Sequence, residues 1–322
     1  MGKIRIIFFG TPEFAASQLE AILNASYDVA AVVTMPDKPA GRGKKIQFSE
    51  VKKTALEHGL PLLQPESLKD PKFLRQMESF NANLFVVVAF RMLPTVVWKM
   101  PELGTFNLHA SLLPQYRGAA PINFAIINGE TETGLTTFFL NEEIDKGAII
   151  MSEKVAIGPD ETAGELHDKL MNLGNQLVID TIKMIEGGTV NATPQETSYD
   201  QPLKPAPKIS KEFCDLPLHI DCNQARNLVR GLSPYPAARV VLRSDHGQSL
   251  DLKVFASLIE HSSHHLPVGT VVTDNVRSLK IALRDGFLHL TCLQQAGKKR
   301  MPIADFLRGT QLKGTWKAEK RA

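Results

Sequence analysis

Cysteine is scarce in this chain: three in 322 residues, Cys214, Cys222 and Cys292, with no Cys-x-x-Cys pair. So odd and sparse a set excludes a disulfide framework and points to a reducing compartment, with the thiols free and partly buried. Long apolar runs are missing too; stretches such as Leu84–Phe90 are far too short to span a bilayer. The first expected strand, Ile4–Phe9, leaves no room for a signal or transit peptide, and Ile6 stands where a myristoylation motif needs Ser or Thr. The expected address is therefore the cytoplasm, with no membrane partner. Several catalytic fingerprints are absent. Gly10 follows a strand, but no Gly-x-Gly-x-x-Gly follows and no acid stands out at the ribose position, which disfavours a nicotinamide oxidoreductase. There is no Gly-x-Ser-x-Gly elbow for a serine hydrolase. Gly41-Arg42-Gly43-Lys44 lacks the glycine spacing and the Ser or Thr of a Walker loop. His261, His264 and His265 cluster in a polar segment with no nearby Cys or set of acidic partners, so no metal is expected.

What is present is ordinary in amount and uneven in placement. The length allows two domains at about 100–200 residues each, and 43% hydrophobic with 22% charged residues suits a globular protein with a sizeable core. The net charge is +3, yet Thr34–Lys53 carries +4 and Lys298–Arg321 carries +6, leaving −7 on the rest. Positive charge concentrated in two segments fits a protein that meets a polyanion at chosen places; two solvated basic faces are the alternative.

The first half alternates strand-like and helix-like patterns. Strands are expected at Ile4–Phe9, Val29–Val33, Pro61–Leu63, Leu84–Phe90, Gly104–His109, Gly134–Leu140 and Ala148–Val155. Helices are expected after a Thr11 cap with Pro12 at the first helical position, at Phe48–Glu57, Lys72–Ser79 and Pro121–Ile127, and from a Thr162/Glu165 capping box to Gly187-Gly188. Such βα alternation argues for an α/β, Rossmann-like, mostly parallel sheet over residues 1–188. Residues 189–210 carry Pro194, Pro202, Pro205 and Pro207 with little apolar periodicity and read as an extended linker. Beyond it, 211–322 turns short and β-rich: Ala238–Arg243, Leu250–Ser257, Val268–Thr273, Leu279–Leu283 and Phe287–Leu293, with an Asp285-Gly286 hairpin turn and helices at Asn223–Gly231 and Pro302–Leu307. That pattern suits a small barrel of the oligonucleotide-binding type.

The chemistry concentrates at the end of one strand. Asn107 and His109 lie two apart and so share a face, while Phe106 and Leu108 point into packing. Open α/β sheets place their ligand crevice at strand C-termini. A His there can equally be structural, but an irregular run, Ser111 to Gly118, follows directly, and Asp145 sits in a turn-like setting after another apolar strand. An amide, an imidazole and a carboxylate could serve acyl transfer without a covalent intermediate: Asn107 and His109 stabilise an oxyanion, and His109, oriented by Asp145 or coupled to it through water, moves a proton. Ser111 as a nucleophile is the competing idea.

These residues carry a resemblance. Asn107-x-His109-x-Ser111-Leu112-Leu113-Pro114-x-Tyr116-Arg117-Gly118, with Asp145 in an Ile-Asp-x-Gly setting, resembles the signature of the folate-dependent formyltransferases. The resemblance implies that Asn107, His109 and Asp145 are catalytic, that 10-formyltetrahydrofolate is the co-substrate, and that no metal takes part. It implies a folate wall at Ser111, Leu112, Leu113 and Pro114, with Phe90, Met92 and Leu93 beside the pterin, partly through backbone; Phe90 and Leu93 would otherwise be core. Tyr116 and Arg117 either anchor their loop or touch substrate. Further segments are similar to the methionyl-tRNA branch of that family. They are Phe9–Phe14, the basic loop Pro36–Lys45, the linker Ala206–Glu212 and Arg226–Pro236, so that the likeness covers essentially the whole chain, with Met35 the main local departure. The partners implied are methionyl initiator tRNA and a reduced folate, acting on a monomer. Arg42, Lys44 and Lys45 would grip the acceptor end, and Lys208, Lys298, Lys299 and Arg300 the phosphates elsewhere. Two glycines flank Arg42, so its guanidinium can reach phosphate or stack on a base; a solvated loop is the alternative. The rival readings are a small-amine acceptor and a non-enzymatic tRNA-binding module.

Overall fold

The elements of the first half follow the alternation read from the sequence. In chain order they are β1 (Arg5–Gly10), α1 (Glu13–Asn24), β2 (Asp28–Val33), β3 (Lys38–Ala40), β4 (Lys45–Gln47), α2 (Glu50–Glu57), β5 (Leu62–Leu63), α3 (Pro71–Ser79), β6 (Leu84–Val88), α4 (Thr95–Trp98), β7 (Thr105–His109), α5 (Pro121–Ile127), β8 (Glu132–Phe139), β9 (Ile149–Ala156) and α6 (Ala163–Glu186). The computed structural model describes residues 3–40, 45–195 and 202–320. The strands form one sheet in the order β5-β2-β1-β6-β7-β8-β9. Pairing is parallel from β5 through β7 and antiparallel between β7 and β8. The chain leaves β1 toward β2 and β5 on one side and returns to β6 and β7 on the other. The strand order thus reverses between β1 and β6, the place where such sheets open a crevice at their C-terminal ends.

Burial explains the strands. β6 is buried at all five positions and β1 at five of six, as expected of parallel strands covered on both faces. On one face Ile7, Phe9, Phe85 and Val87 pack with Phe73, Met77, Leu93 and Val97. α6 approaches the sheet closely at Gly174, where a Cβ would lie 3.0 Å from Leu108 of β7. Its capping box forms as expected: Thr162 Oγ1 accepts from Glu165 N at 3.3 Å, and Glu165 accepts from Thr162 N at 2.8 Å. The Thr11 cap does not form. Pro12 is the N-cap, its carbonyl accepting from Ala15 and Ala16, and the buried Thr11 hydroxyl has no partner in the structure. The hairpin β3–β4 and the short α4 were not read from the sequence.

The second half contains α7 (Cys222–Gly231), β10 (Ala238–Ser244), β11 (Ser249–His261), β12 (Val271–Thr273), β13 (Leu279–Leu283), β14 (Gly286–Gln295), β15 (Met301–Pro302), α8 (Ile303–Gly309) and β16 (Trp316–Glu319). Its antiparallel sheet runs β12-β13-β14-β11-β10-β16. Two register shifts let β11 bend across it. Ala318 N donates to Gly269 O at 2.7 Å and Lys317 bridges Thr270, so β16 returns to the β12 end and nearly closes a barrel. The interior holds Leu228, Val229, Leu252, Leu290, Phe306 and Trp316. The Lys298–Arg321 segment, read as basic surface, therefore contains a structural strand: Trp316 and Ala318 face in while Lys317 and Glu319 face out. The compact units are not continuous in sequence. One comprises Met1–Gly118, Thr133–Val155 and His167–Pro205, and the other Ala119–Glu132, Ala156–Leu166 and Ala206–Ala322.

Candidate active site

β7 carries Asn107 and His109 to the C-terminal edge of the first sheet, beside the turn that follows β8. His109 is 7% exposed. Its Nε2 lies 2.9 Å from the Tyr116 carbonyl. A carbonyl only accepts, so Nε2 carries the proton and the neutral ring keeps its lone pair on Nδ1. Nδ1 faces Asp145 Oδ2 at 3.9 Å, longer than a hydrogen bond. The partner that orients His109 is thus a backbone carbonyl rather than Asp145. No sequence signal could have found it, because a backbone carbonyl is not encoded by residue type. The Asn107 side chain is half-buried and makes no hydrogen bond among the described residues, which leaves its amide donors open at the strand end.

Asp145 is held from three directions. Gly118 N donates to its Oδ2 at 3.0 Å, and its own carbonyl accepts from Arg117 Nε at 3.1 Å and Gln195 Nε2 at 2.9 Å. Its φ is +53°, in the left-handed region that a non-glycine residue enters at a cost. Gly147 is required nearby, since a Cβ there would lie 1.5 Å from the Phe139 carbonyl. Arg117 anchors this loop, donating to the Asp145 carbonyl and to Gln195 Oε1.

The run after His109 is fixed from beneath. Thr136 on β8, opposite His109 in register, donates its hydroxyl to Ser111 O at 2.7 Å and accepts from Leu113 N and Ser152 Oγ, both at 3.2 Å. Ser111 is fully buried and donates to Gln115 O at 2.7 Å. Its proton is committed, and His109 turns Nε2 to Tyr116, so the two do not form a nucleophile–base pair. Leu113 is buried, while Leu112 and Pro114 are half-buried. From the segment read as linker, Lys204 O accepts from Tyr116 N at 2.7 Å and Lys204 N donates to Gln115 at 2.8 Å. Sequence reasoning missed Thr136, Gln195 and this Lys204 contact, because each acts through backbone groups.

The remaining expected residues divide. Phe90 is half-buried against Phe9, with ring centroids 5.8 Å apart; Met92 is exposed; Leu93 faces the core, leaving a ligand only its backbone. Between them Arg91 donates to Glu66 O at 2.8 Å and Pro65 O at 2.5 Å, while its buried Nε has no partner in the structure. Burial lowers the affinity of this guanidinium for its proton. Arg42 and Lys44 lie outside the described residues, and Lys45 is placed by its backbone alone, in β4. Lys208, Lys298 and Lys299 are exposed. Arg300 is engaged, over the Phe255 ring at 4.5 Å and donating to Cys292 Sγ at 3.2 Å.

The expectation that the clustered histidines lack Cys or acidic partners fails at His261. Folding brings Cys222, His261 and Asp285 together, with one donor atom from each lying within 4.8 Å of the others. These donors serve one another. Asp285 accepts from Cys222 N at 2.9 Å and faces His261 Nδ1 at 3.3 Å. Burial, reinforced by Asp285, pushes the Cys222 thiol up to about 12, so its sulfur stays protonated.

Two family models match the chain: "Formyl transferase" over residues 3–182 and "Formyl transferase, C-terminal domain" over 208–311. Among curated relatives, a methionyl-tRNA formyltransferase of Flavobacterium johnsoniae is 53% identical over 309 residues, covering 96% of this chain and 97% of that one. Another, from Bacteroides thetaiotaomicron, is 51% identical and covers 98% of each. Among solved structures, a sugar 3N-formyl transferase determined with dTDP and 5-N-formyl-THF superposes with a TM-score of 0.64 at 18% identity, over 93% of this chain and 100% of that one. HypX from Aquifex aeolicus in complex with tetrahydrofolic acid gives a TM-score of 0.62 at 17% identity, over 95% of this chain and 47% of that one.

Proposed function

The chain belongs to the formyl transferase family, and from that premise we propose how its own residues carry the reaction. The enzyme transfers the formyl group of 10-formyltetrahydrofolate to the α-amine of methionyl initiator tRNA. Asn107 donates to the formyl oxygen as negative charge builds on it, and His109 assists from the same strand face. The ring nitrogen that faces the reaction is Nδ1, since Nε2 is held by Tyr116. Asp145, across from Nδ1, governs His109 and the transfer of the proton that leaves the attacking amine and ends on the nitrogen that gave up the formyl group. The loop Ser111–Pro114, braced by Thr136, walls the folate side together with the Phe90–Leu93 backbone. We assign catalysis to residues 1–188, connection to 189–210 and tRNA holding to 211–322, with Arg42, Lys44 and Lys45 at the acceptor end and Lys208, Lys298 and Lys299 on phosphates. The protein works as a monomer in the cytoplasm; no helix among the described residues is long and apolar enough to cross a membrane.

The observation that carries this reading is an Asn107 amide without a protein partner, on the same strand face as a His109 whose Nδ1 meets Asp145. Formyl transfer to methionyl initiator tRNA is measured for the parent and for Asn107→Ala, His109→Ala, Asp145→Ala and Arg42→Ala. The first three are expected to lose turnover by about 10²-fold or more. Arg42→Ala should raise the KM for tRNA and spare that for folate. Transfer to a small amine but not to tRNA would replace the acceptor, and full turnover in the first three variants would dismiss the site.

A further inference from the structure

Gln195 lies fifty residues beyond Asp145, in a Pro-rich stretch whose composition suggests only a connection. Its amide is fully used. Nε2 donates to the Asp145 carbonyl at 2.9 Å and to the Gly147 carbonyl at 2.8 Å. Oε1 accepts from Arg117 Nε at 3.1 Å and from Arg117 Nη2. Two donor hydrogens and two lone pairs are all that a carboxamide possesses, and each finds a partner here. The stretch itself is pinned just before this point, where Thr193 and Ile149 exchange two backbone bonds of 2.8 Å.

The groups Gln195 binds decide where the Asp145 carboxylate points. Asp145 holds a left-handed backbone conformation, φ +53°, which an aspartate keeps only when its surroundings over-determine it. The carbonyls on either side of the next peptide pair, at Asp145 and Gly147, are the two that Gln195 ties together. Arg117, drawn to Gln195, also donates to the Asp145 carbonyl, and the adjacent Gly118 N donates to the Asp145 carboxylate. One side chain therefore joins the two loops that meet at the His109–Asp145 pair.

We propose that Gln195 is a positioning residue for formyl transfer, fixing the Asp145 peptide so that its carboxylate stays aimed at His109 Nδ1. It touches neither substrate and acts through Asp145. The proposal rests on the reaction assigned above and extends it to a residue outside the signature motif.

The test uses the full chain, with 10-formyltetrahydrofolate and methionyl initiator tRNA as substrates. Gln195→Ala removes the clamp, and Gln195→Glu keeps its length while removing both donors. Each should lower kcat by about 10- to 100-fold, the cost of a small misplacement at a reacting centre, with both KM values within about twofold of the parent. Adding Gln195→Ala to Asp145→Asn should cost nothing further, because a residue that acts only through Asp145 has nothing left to position. Losses that multiply in the double variant, a KM effect without a kcat effect, or a loss matched by the fraction unfolded in a thermal melt would overturn the proposal. A parent that transfers no formyl group would instead overturn the assigned reaction, an outcome separate from any difference among variants.

Discussion

A proton fixed on Nε2 and a lone pair on Nδ1 give the two ends of His109 unlike tasks. The Tyr116 carbonyl occupies one end, and the reaction has the other. Asp145 reaches that other end only because its backbone is left-handed and Gly147 leaves room for the Phe139 carbonyl. Gly147→Ala should therefore cut turnover at least about tenfold, since backbone must move to admit a methyl group. Gly309→Ala, where an added Cβ meets nothing within 4 Å, should leave both turnover and melting temperature unchanged. The thiols allow a separate check at this scale. Cys214 and Cys222 are buried, and burial raises both above the usual thiol range, to about 12 for Cys222. A thiol-titrating reagent at about pH 8 should find only Cys292 in the native protein and all three cysteines after denaturation. Rapid reaction of Cys222 in the folded chain would contradict its place in the barrel interior.

Among the elements, β16 departs furthest from its appearance in sequence. Four residues long and set among lysines, it carries too short an alternation to stand out from a charged tail, yet Trp316 is 4% exposed and Ala318 closes the barrel onto Gly269. Trp316→Ala should cost about 3–5 kcal/mol of stability in the second unit, read as a lowered midpoint in a denaturant melt. Ending the chain at Gly314 should leave that unit open to protease. A folded, protease-resistant truncation with merely weaker tRNA binding would mean that the tail is a surface feature after all. Elements with longer signals were legible. The parallel strands announced themselves as continuous apolar runs, and α6 by its capping box and leucine stripe. What escaped was short, such as α4 and β15, or depended on partners distant in sequence. Thr136 reads as one more β-branched residue until its hydroxyl is seen bridging Ser111 and Leu113. The signature residues Asn107, His109 and Asp145 were legible because side-chain chemistry marks them, while Tyr116, Lys204 and Gln195 support them through or upon backbone.

On the scale of the whole molecule, charge separates the two substrates. The folate wall is built largely of apolar side chains and backbone, whereas the residues assigned to tRNA are exposed cations or lie in the basic loop. Raising salt from about 50 to 200 mM should therefore raise the KM for tRNA steeply, by tenfold or more if several phosphates are engaged, and move the KM for the formyl donor little. Equal sensitivity of both constants would point to a general effect of salt on the protein rather than released counterions.

Segments between domains usually tolerate insertion and deletion, because nothing downstream depends on their length. Here the segment has two fixed stations, Gln195 on the Asp145 loop and Lys204 on the His109 loop. Adding or removing a residue between them would put one station out of step with the other. Evolution can vary the letters between these stations far more freely than their number, and anyone grafting this catalytic unit onto a different RNA-binding partner must carry the stretch through Lys204 intact and make the join after it.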